Sequence, residues 1–117
     1  MTVPMITIKN LSFAAICTIA TLQVPSAIAQ DATEVQVTYS NGQFQPSEVS
    51  VPADRPVMFR VKNMDVKAME FESKALRVEK VVAANSDGII NVRALKPGRY
   101  EFYDDFNEQA RGALKVQ

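Results

Sequence analysis

The stretch KPGRYEFYDDFNEQARGALKVQ, residues 96–117, decides the fold of this chain. Its Pro97-Gly98 pair is typical of a turn. Tyr100, Phe102 and Asp104 then alternate with the residues between them, so their side chains should share one face of a strand. The pattern therefore predicts a strand that carries aromatic side chains on one face and reaches a carboxylate near its end.

A second strand closes the chain. We predict a polar loop over residues 105–111, after which Gly112 begins a strand whose Leu114 and Val116 alternate with Ala113 and Lys115. Strand, loop and strand together predict a hairpin at the carboxyl end of the domain.

Short alternating segments precede this hairpin and are separated by turn residues, among them Asn41-Gly42. No helical periodicity competes with them, so we predict an all-β fold, a Greek-key antiparallel β-sandwich. The predicted earlier strands cover residues 35–39, 44–51, 57–61, 68–72, 76–82 and 90–92, with a turn over 85–88. The residues predicted to be buried are Val37, Phe59, Val61, Phe71, Phe102 and Leu114.

The first 29 residues are typical of a secretory signal peptide. Lys9 supplies a positive charge, an apolar run over residues 11–24 follows, and Ala27-Ile28-Ala29 fits a cleavage site. We therefore predict a signal peptide over 1–29, a mature domain over 30–117 and a periplasmic location. Ile16 is too bulky for the position before a lipoprotein cysteine, so we do not expect Cys17 to carry a lipid anchor.

Composition excludes several kinds of function. The chain has 13 basic and 13 acidic residues, so its charge balance gives no indication of nucleic-acid binding. It contains no histidine, and Cys17 is its single cysteine. A blue-copper centre needs two imidazoles and a thiolate, so the mature domain should lack such a centre.

Three stretches, FQPSEVSVPADRPVMFRVKN, NMDVKAMEFESKALRVEKVV and LKPGRYEFYDDFNEQARGAL, resemble the EfeO-type cupredoxin-like family. They are similar to the small periplasmic cupredoxin-like component of ferrous iron uptake systems of the FtrABCD type. By this resemblance Met69 takes the position of the first copper histidine, Asp104 that of the cysteine and Asn107 that of the second histidine. The resemblance implies that ferrous iron is oxidised or handed on before transport, but not by a self-sufficient blue-copper oxidase.

The predicted metal ligands are Met69, Glu70, Glu72, Asp104 and Asp105. Met69 and Asp104 should face inward at one end of the sandwich, whereas Glu70 and Glu72 should share the outer face. Carboxylates suit hard ions and a thioether suits Cu(I), so either iron or copper fits this set. Glu79 is a further candidate for the outer face, although its pairing register is open.

Purely structural interpretations of the same residues remain open. Met69 can simply fill the core, Asp104 can cap its own loop, and the glutamates can form a solvated face with nearby lysines. The predicted role is that of a periplasmic accessory to an iron permease or to other iron-uptake components of the membrane or periplasm. The alternatives are a metal-free interaction module, with Tyr103 and Phe106 as exposed aromatics, and a copper chaperone that uses Met64 with Met69.

Overall fold

The computed structural model describes residues 2–5, 20–22 and 31–117. The predicted cleavage site at residues 27–29 and Cys17 lie outside the described residues, so the signal peptide stays a prediction. Within the described ranges there is no helix long and apolar enough to cross a membrane.

Nine strands make up residues 31–117. They are β1 (Thr33–Ser40), β2 (Gln43–Gln45), β3 (Glu48–Val51), β4 (Val57–Asn63), β5 (Met69–Ser73), β6 (Val78–Val82), β7 (Ser86–Val92), β8 (Gly98–Asp104) and β9 (Asn107–Val116). One sheet has the order β2-β1-β4-β7 and the other has the order β3-β9-β8-β5-β6. The predicted all-β sandwich is confirmed. Both sheets are mixed, because β1 pairs with β4 and β3 pairs with β9 in parallel.

Alternating apolar residues build the core between the two sheets. In the first sheet Val37 lies opposite Val61 on the neighbouring strand, and both side chains are fully buried. An aromatic cluster from both sheets fills the centre: the rings of Phe71 and Phe102 stack with centroids 5.0 Å apart, and Phe59 packs against both. All six side chains predicted to be buried are buried, with no measurable exposure: Val37, Phe59, Val61, Phe71, Phe102 and Leu114.

The predicted strand over residues 44–51 is wrong in one respect, because it is two strands. β2 pairs with β1 in the first sheet, and β3 pairs with β9 in the second. The chain changes sheets at Pro46, whose peptide bond with Gln45 is cis. Since proline cannot donate to a strand ladder, this is where the pairing with one sheet ends and the pairing with the other begins.

The predicted polar loop over residues 105–111 is also wrong. Asp104 pairs with Asn107, so only Asp105 and Phe106 form the turn, and β9 begins at Asn107. Most side chains in the first half of β9 are polar and exposed to solvent. Ala110 is the one buried side chain in that half. Exposed strand residues of this kind carry no apolar alternation for a sequence pattern to detect.

The turn predicted over residues 85–88 is shorter than expected. Asn85 has a positive φ of 52° and lies in the turn, but Asp87 and Gly88 belong to β7. Gly88 is used there for close packing, since a Cβ at this position would lie 2.6 Å from a methyl group of Val82. Glycine at this position therefore allows the two sheets to pack closely, and it does not form a turn.

Gly112→Ala should destabilise the domain. An added Cβ would overlap the ring of Phe102 and would lie 2.9 Å from the carbonyl oxygen of Ser47. Overpacking of a closely packed core typically costs about 1–3 kcal/mol of unfolding free energy. Urea denaturation, monitored by tyrosine fluorescence, measures this loss of unfolding free energy.

Gly98→Ala is the matched control, because its Cβ would have ordinary contacts of 3.5 Å or more with Tyr100. We expect this variant to unfold within about 0.5 kcal/mol of the wild type. Equal stability of the two alanine variants would contradict the packing described for Gly112.

Candidate metal centre

A buried carboxylate closes the end of the sandwich where β8 turns into β9. Asp104 is 2% exposed, and its side chain accepts three hydrogen bonds. The phenol of Tyr39 donates to Oδ2 at 2.5 Å, and the backbone N–H groups of Glu70 and Phe106 donate to Oδ1 at 2.9 and 3.0 Å. These donors satisfy the carboxylate within the protein, as a buried charge requires.

This arrangement does not fit a type 1 copper centre. By the resemblance, Asp104 occupies the position of the copper cysteine, but its oxygens are already engaged with a phenol and two amides. Asn107, at the position of the second histidine, is exposed and contributes an amide. No imidazole exists anywhere in the chain. The donor set therefore has none of the strong ligands that define a type 1 site.

Met69 lies on the inner side of β5 and is fully buried. The predicted inward direction of Met69 and Asp104 is confirmed. Met64 is 50% exposed in the connection that follows β4. The two methionines therefore differ in accessibility, since one lies in the core and the other at the surface.

The outer face of the second sheet holds a cluster of acids. Glu72 on β5 lies directly opposite Glu79 on β6, and Glu70 is two positions away on the same face. One side-chain oxygen from each of these three residues lies within 4.8 Å of the others. We call Glu70, Glu72 and Glu79 the outer carboxylate cluster. Like charges placed directly opposite each other across a sheet are destabilising when nothing neutralises them.

Glu70 is the unusual member of the cluster because it is only 7% exposed. Its carboxylate has no ion pair within residues 31–117, where the observed ion pairs join other residues. A hydrogen bond with the Glu79 side chain, burial, and the charges of Glu79, Asp105 and Glu72 raise the pKa of Glu70 to about 7. The Glu70 side chain thus lies against other acids and makes no ion pair within residues 31–117.

Burial and the nearby charges of Asp105 and Glu79 also raise the pKa of Glu72, while Lys74 opposes the rise. Asp105 follows β8 directly, and its N–H donates to the carbonyl oxygen of Glu70 at 2.9 Å. It therefore places a fourth carboxyl group beside the cluster.

The structure divides the five sequence-predicted ligands into two sets. Met69 and Asp104 lie inside, whereas Glu70, Glu72 and Asp105 lie together on the outer side. Their roles as metal ligands stay predictions. Glu79 joins the outer set, which settles the register that the sequence left open.

Tyr39 is the residue of this region that sequence reasoning missed. It lies 65 positions from Asp104 in the chain, and the alternation in β1 marks it only as an apolar position that faces the core. Its phenol is buried, and burial together with the hydrogen bond and charge of Asp104 raises its pKa to about 12.

Comparison with known proteins assigns the chain to a family. Residues 12–116 match the Cupredoxin-like domain family, and this protein belongs to that family. The chain is also 33% identical, over 93 residues, to an uncharacterized protein of Rickettsia prowazekii (strain Madrid E). That match covers 79% of this chain and 74% of the relative.

Solved structures show the same fold at low sequence identity. The metal-binding domain of the Cu(I)-exporting P-type ATPase CopA of Streptococcus pneumoniae D39, solved with Cu(I), superposes with a TM-score of 0.65 at 13% identity, covering 72% of this chain and 84% of that one. Auracyanin A, a blue copper protein of Chloroflexus aurantiacus, superposes with a TM-score of 0.63 at 14% identity, covering 74% of this chain and all of that one. These similarities establish the cupredoxin fold.

Tyr39→Phe should destabilise the protein at neutral pH by about 1.5–3 kcal/mol, the range for a hydrogen bond to a charged group. The substitution leaves Asp104 buried with one donor fewer. Tyr100→Phe is the matched control, since its phenol donates to the Lys96 carbonyl oxygen in an exposed position. Urea unfolding of both variants checks the difference, and equal losses would contradict the role given to the Tyr39–Asp104 contact.

The metal-free protein should become less stable as the pH rises through about 7, because of Glu70. In the unfolded chain this carboxyl ionises near its ordinary pKa of 4.5, whereas in the folded chain it keeps its proton up to about 7. The stability that this proton maintains is complete below about pH 4.5 and lost above about pH 7. Thermal unfolding in the presence of a chelator, from pH 4 to 9, follows the change.

Glu70→Gln removes the titrating group from the cluster. Its stability advantage over the wild type should grow from pH 4.5 to 7 and then level off, as the shifted pKa requires. Glu34→Gln, at an exposed position of β1 in the other sheet, should show no such dependence. A constant difference between Glu70→Gln and the wild type at all pH values would show that Glu70 titrates normally.

Proposed function

We propose that this protein is a periplasmic accessory of ferrous iron uptake that holds an iron or copper ion on outer-face carboxylates, without a type 1 copper centre. The observation that carries the proposal is the outer carboxylate cluster, in which the largely buried residue Glu70 lies with Glu79 and Glu72 and has no ion pair within residues 31–117. A cation there would neutralise acids that the fold otherwise holds together at a free-energy cost. The iron-uptake role, and a membrane permease as partner, follow from the family resemblance.

The ligand chemistry favours hard cations. The cluster offers carboxylate oxygens from Glu70, Glu72 and Glu79, with Asp105 beside them. Oxygen sets of this kind suit Fe(III) and Mn(II), and they bind Cu(II) ahead of most divalent ions. The thioether of Met69 lies on the opposite side of the sheet, in the core, so it adds no soft ligand to this set.

A metal-free interaction module is the second candidate, and a different observation favours it. The end of the sandwich that holds copper in the family is closed here by the three hydrogen bonds to Asp104. Beside it, Phe106 is 58% exposed, and Met64 and Val66 are exposed on the loop after β4. A module of this kind would use that end for contact and would have no need of a cation.

Fe(III), supplied as its citrate complex, Mn(II) or Cu(II) should raise the melting temperature of residues 30–117. An ion present at about 100 times its Kd stabilises the folded state by about 2.7 kcal/mol. Each kcal/mol corresponds to about 4–8 °C for a domain of this size. Scanning calorimetry with and without each ion measures the shift, and Cu(II) should produce no intense blue colour because no thiolate is present.

Glu70→Gln combined with Glu79→Gln should abolish the shift while leaving a folded protein, because the double substitution removes like charges that lie close together. Asp31→Asn with Glu34→Gln is the control, since it removes the same formal charge from exposed positions outside the cluster. If neither the wild type nor the control binds any of these ions more tightly than about millimolar, about −4 kcal/mol of binding free energy, the metal proposal fails and the interaction module replaces it.

Uptake of radioactive ferrous iron by cells that lack this protein tests the iron-uptake role separately. The wild type and the control variant should restore uptake, and the Glu70→Gln/Glu79→Gln variant should not. Full restoration by the Glu70→Gln/Glu79→Gln variant would show that iron uptake does not depend on these carboxylates.

A further inference from the structure

The Asn41-Gly42 pair forms the whole of the turn between β1 and β2. Asn41 has a φ of 53° and Gly42 a φ of 68°, and a hairpin turn of type I′ requires a positive φ at both of its central residues. Asn41 is exposed to solvent. Because glycine has no Cβ, the backbone nitrogen of Gly42 is not shielded from the side-chain amide that precedes it. An exposed amide therefore lies next to an accessible peptide nitrogen, the arrangement in which asparagine reacts most readily with its own backbone.

The side chain of Asp65 holds both backbone amides of this turn. The N–H of Asn41 donates to Oδ1 at 2.7 Å, and the N–H of Gly42 donates to Oδ2 at 3.2 Å. Asp65 lies in the connection between β4 and β5, far from the turn in sequence. Hydrogen bonds to an ionised group are roughly twice as strong as those between neutral groups, so this carboxylate fixes the turn. The nitrogen of Gly42 is thus both restrained and close to a negative charge.

The other asparagines in the described part of the chain lack this combination of features. Asn63 is buried, and its side-chain amide donates to three backbone carbonyl oxygens. Asn85 is exposed and has a similar φ of 52°, but a serine follows it. Asn91 and Asn107 lie in strands and precede larger residues. Among these side chains, Asn41 is therefore the one whose exposure and following residue both favour reaction.

We propose that Asn41 is a site of spontaneous deamidation and that the carboxylate of Asp65 restrains the reaction. The nitrogen of Gly42 attacks Cγ of Asn41, an N–Cγ bond forms, and the C–N bond of the side-chain amide breaks. The proton from the Gly42 nitrogen leaves with the amide nitrogen as ammonia. Water then opens the resulting succinimide at either carbonyl, which gives aspartate or isoaspartate. Water is the co-reactant, and no group is oxidised or reduced.

Two features of Asp65 slow the first step. The side chain of Asn41 and the nitrogen of Gly42 must approach each other, and the two hydrogen bonds to Asp65 oppose the backbone rotation that this approach requires. The attacking nitrogen must also lose its proton, and a neighbouring carboxylate disfavours the negative charge that forms there. The turn is thus reactive because of its sequence and restrained by one distant side chain.

The product fits the turn less well than asparagine does. The new carboxylate adds a negative charge near Asp65, and isoaspartate adds a backbone atom to the two-residue turn that sets the register of β1 with β2. One cleft at the end of the sandwich is lined by this turn together with the buried acid and its phenol donor: Tyr39, Asn41, Gly42, Asp65 and Asp104. Deamidation therefore changes the charge and the shape of the cleft beside the Tyr39–Asp104 contact. This inference is independent of the proposed cation site.

Peptide mapping by mass spectrometry tests the modification site. The purified protein is kept for days at mildly alkaline pH and physiological temperature. Asn41 should be converted to aspartate and isoaspartate several times faster than Asn85, which shares its backbone conformation. Asn41→Gly keeps the positive φ and removes the amide, so the corresponding peptide should stay unchanged. Conversion of Asn41 no faster than that of Asn85 would overturn the proposal.

Asp65→Ala tests the restraint. The rate at Asn41 should rise by roughly an order of magnitude, because the loss of hydrogen bonds to a charged group frees the turn. Asp65→Asn, which keeps an oxygen acceptor without the charge, should give an intermediate rate and serves where the alanine variant folds poorly. Asp31→Ala is the control, since it removes the same charge from an exposed position, and its rate should equal that of the wild type.

The same measurement in urea shows whether the effect of Asp65 depends on the fold. Unfolded wild type and unfolded Asp65→Ala should react equally fast, because only the folded chain holds Asp65 against the turn. An unchanged rate in the folded Asp65 variants would show that Asp65 exerts no restraint. A slower rate would show that the carboxylate instead removes the proton of Gly42 as a base. Either result would overturn the role assigned to Asp65.

Discussion

The buried charge of Asp104 is the constraint on which one end of this sandwich depends. A carboxylate that is 2% exposed must be satisfied by the protein, and here its donors come from β1, from β5 and from the turn after β8. The Tyr39–Asp104 hydrogen bond therefore joins the two sheets at this end, and hydrogen bonds from Asn63 to Val82 and from Lys80 to Ile89 join them at other positions, alongside the apolar packing. Tyr39 and backbone amides thus hold Asp104 at this end of the sandwich.

The outer side of β5 shows the opposite situation. Asp104 has hydrogen-bond donors for its charge, but Glu70 is nearly as buried and has Glu79 as its main neighbour. Without a cation the repulsion is relieved by a retained proton, which is why the pKa of Glu70 rises to about 7. Glu79 lies directly opposite Glu72, so like charges face each other across β5 and β6 beside Glu70.

Sequence pattern was sufficient for the parts of the fold that depend on alternation. Phe59, Phe71 and Phe102 follow the period of two and are buried, and the same rule correctly separated Met69 from its neighbour Glu70 on β5. It could not supply the partner of Asp104, since Tyr39 lies 65 positions away and reads as an ordinary core residue. Nor could it fix Glu79 opposite Glu72, because that register depends on the turn before β6. There Arg77, with a φ of 58°, takes a conformation that usually indicates glycine or asparagine.

Glu70 connects the two halves of the site. Its N–H donates to Asp104 inside the sandwich, its carbonyl oxygen accepts the N–H of Asp105, and its side chain lies in the outer carboxylate cluster. A cation on the outer face would thus bind a residue whose backbone already holds the interior carboxylate and the turn that presents Phe106. Because the backbone of β5 is fixed on both sides, the positions from which Glu70 and Glu72 project are set by the fold. For the proposed cation site, such preorganisation of the backbone would lower the entropy lost on binding.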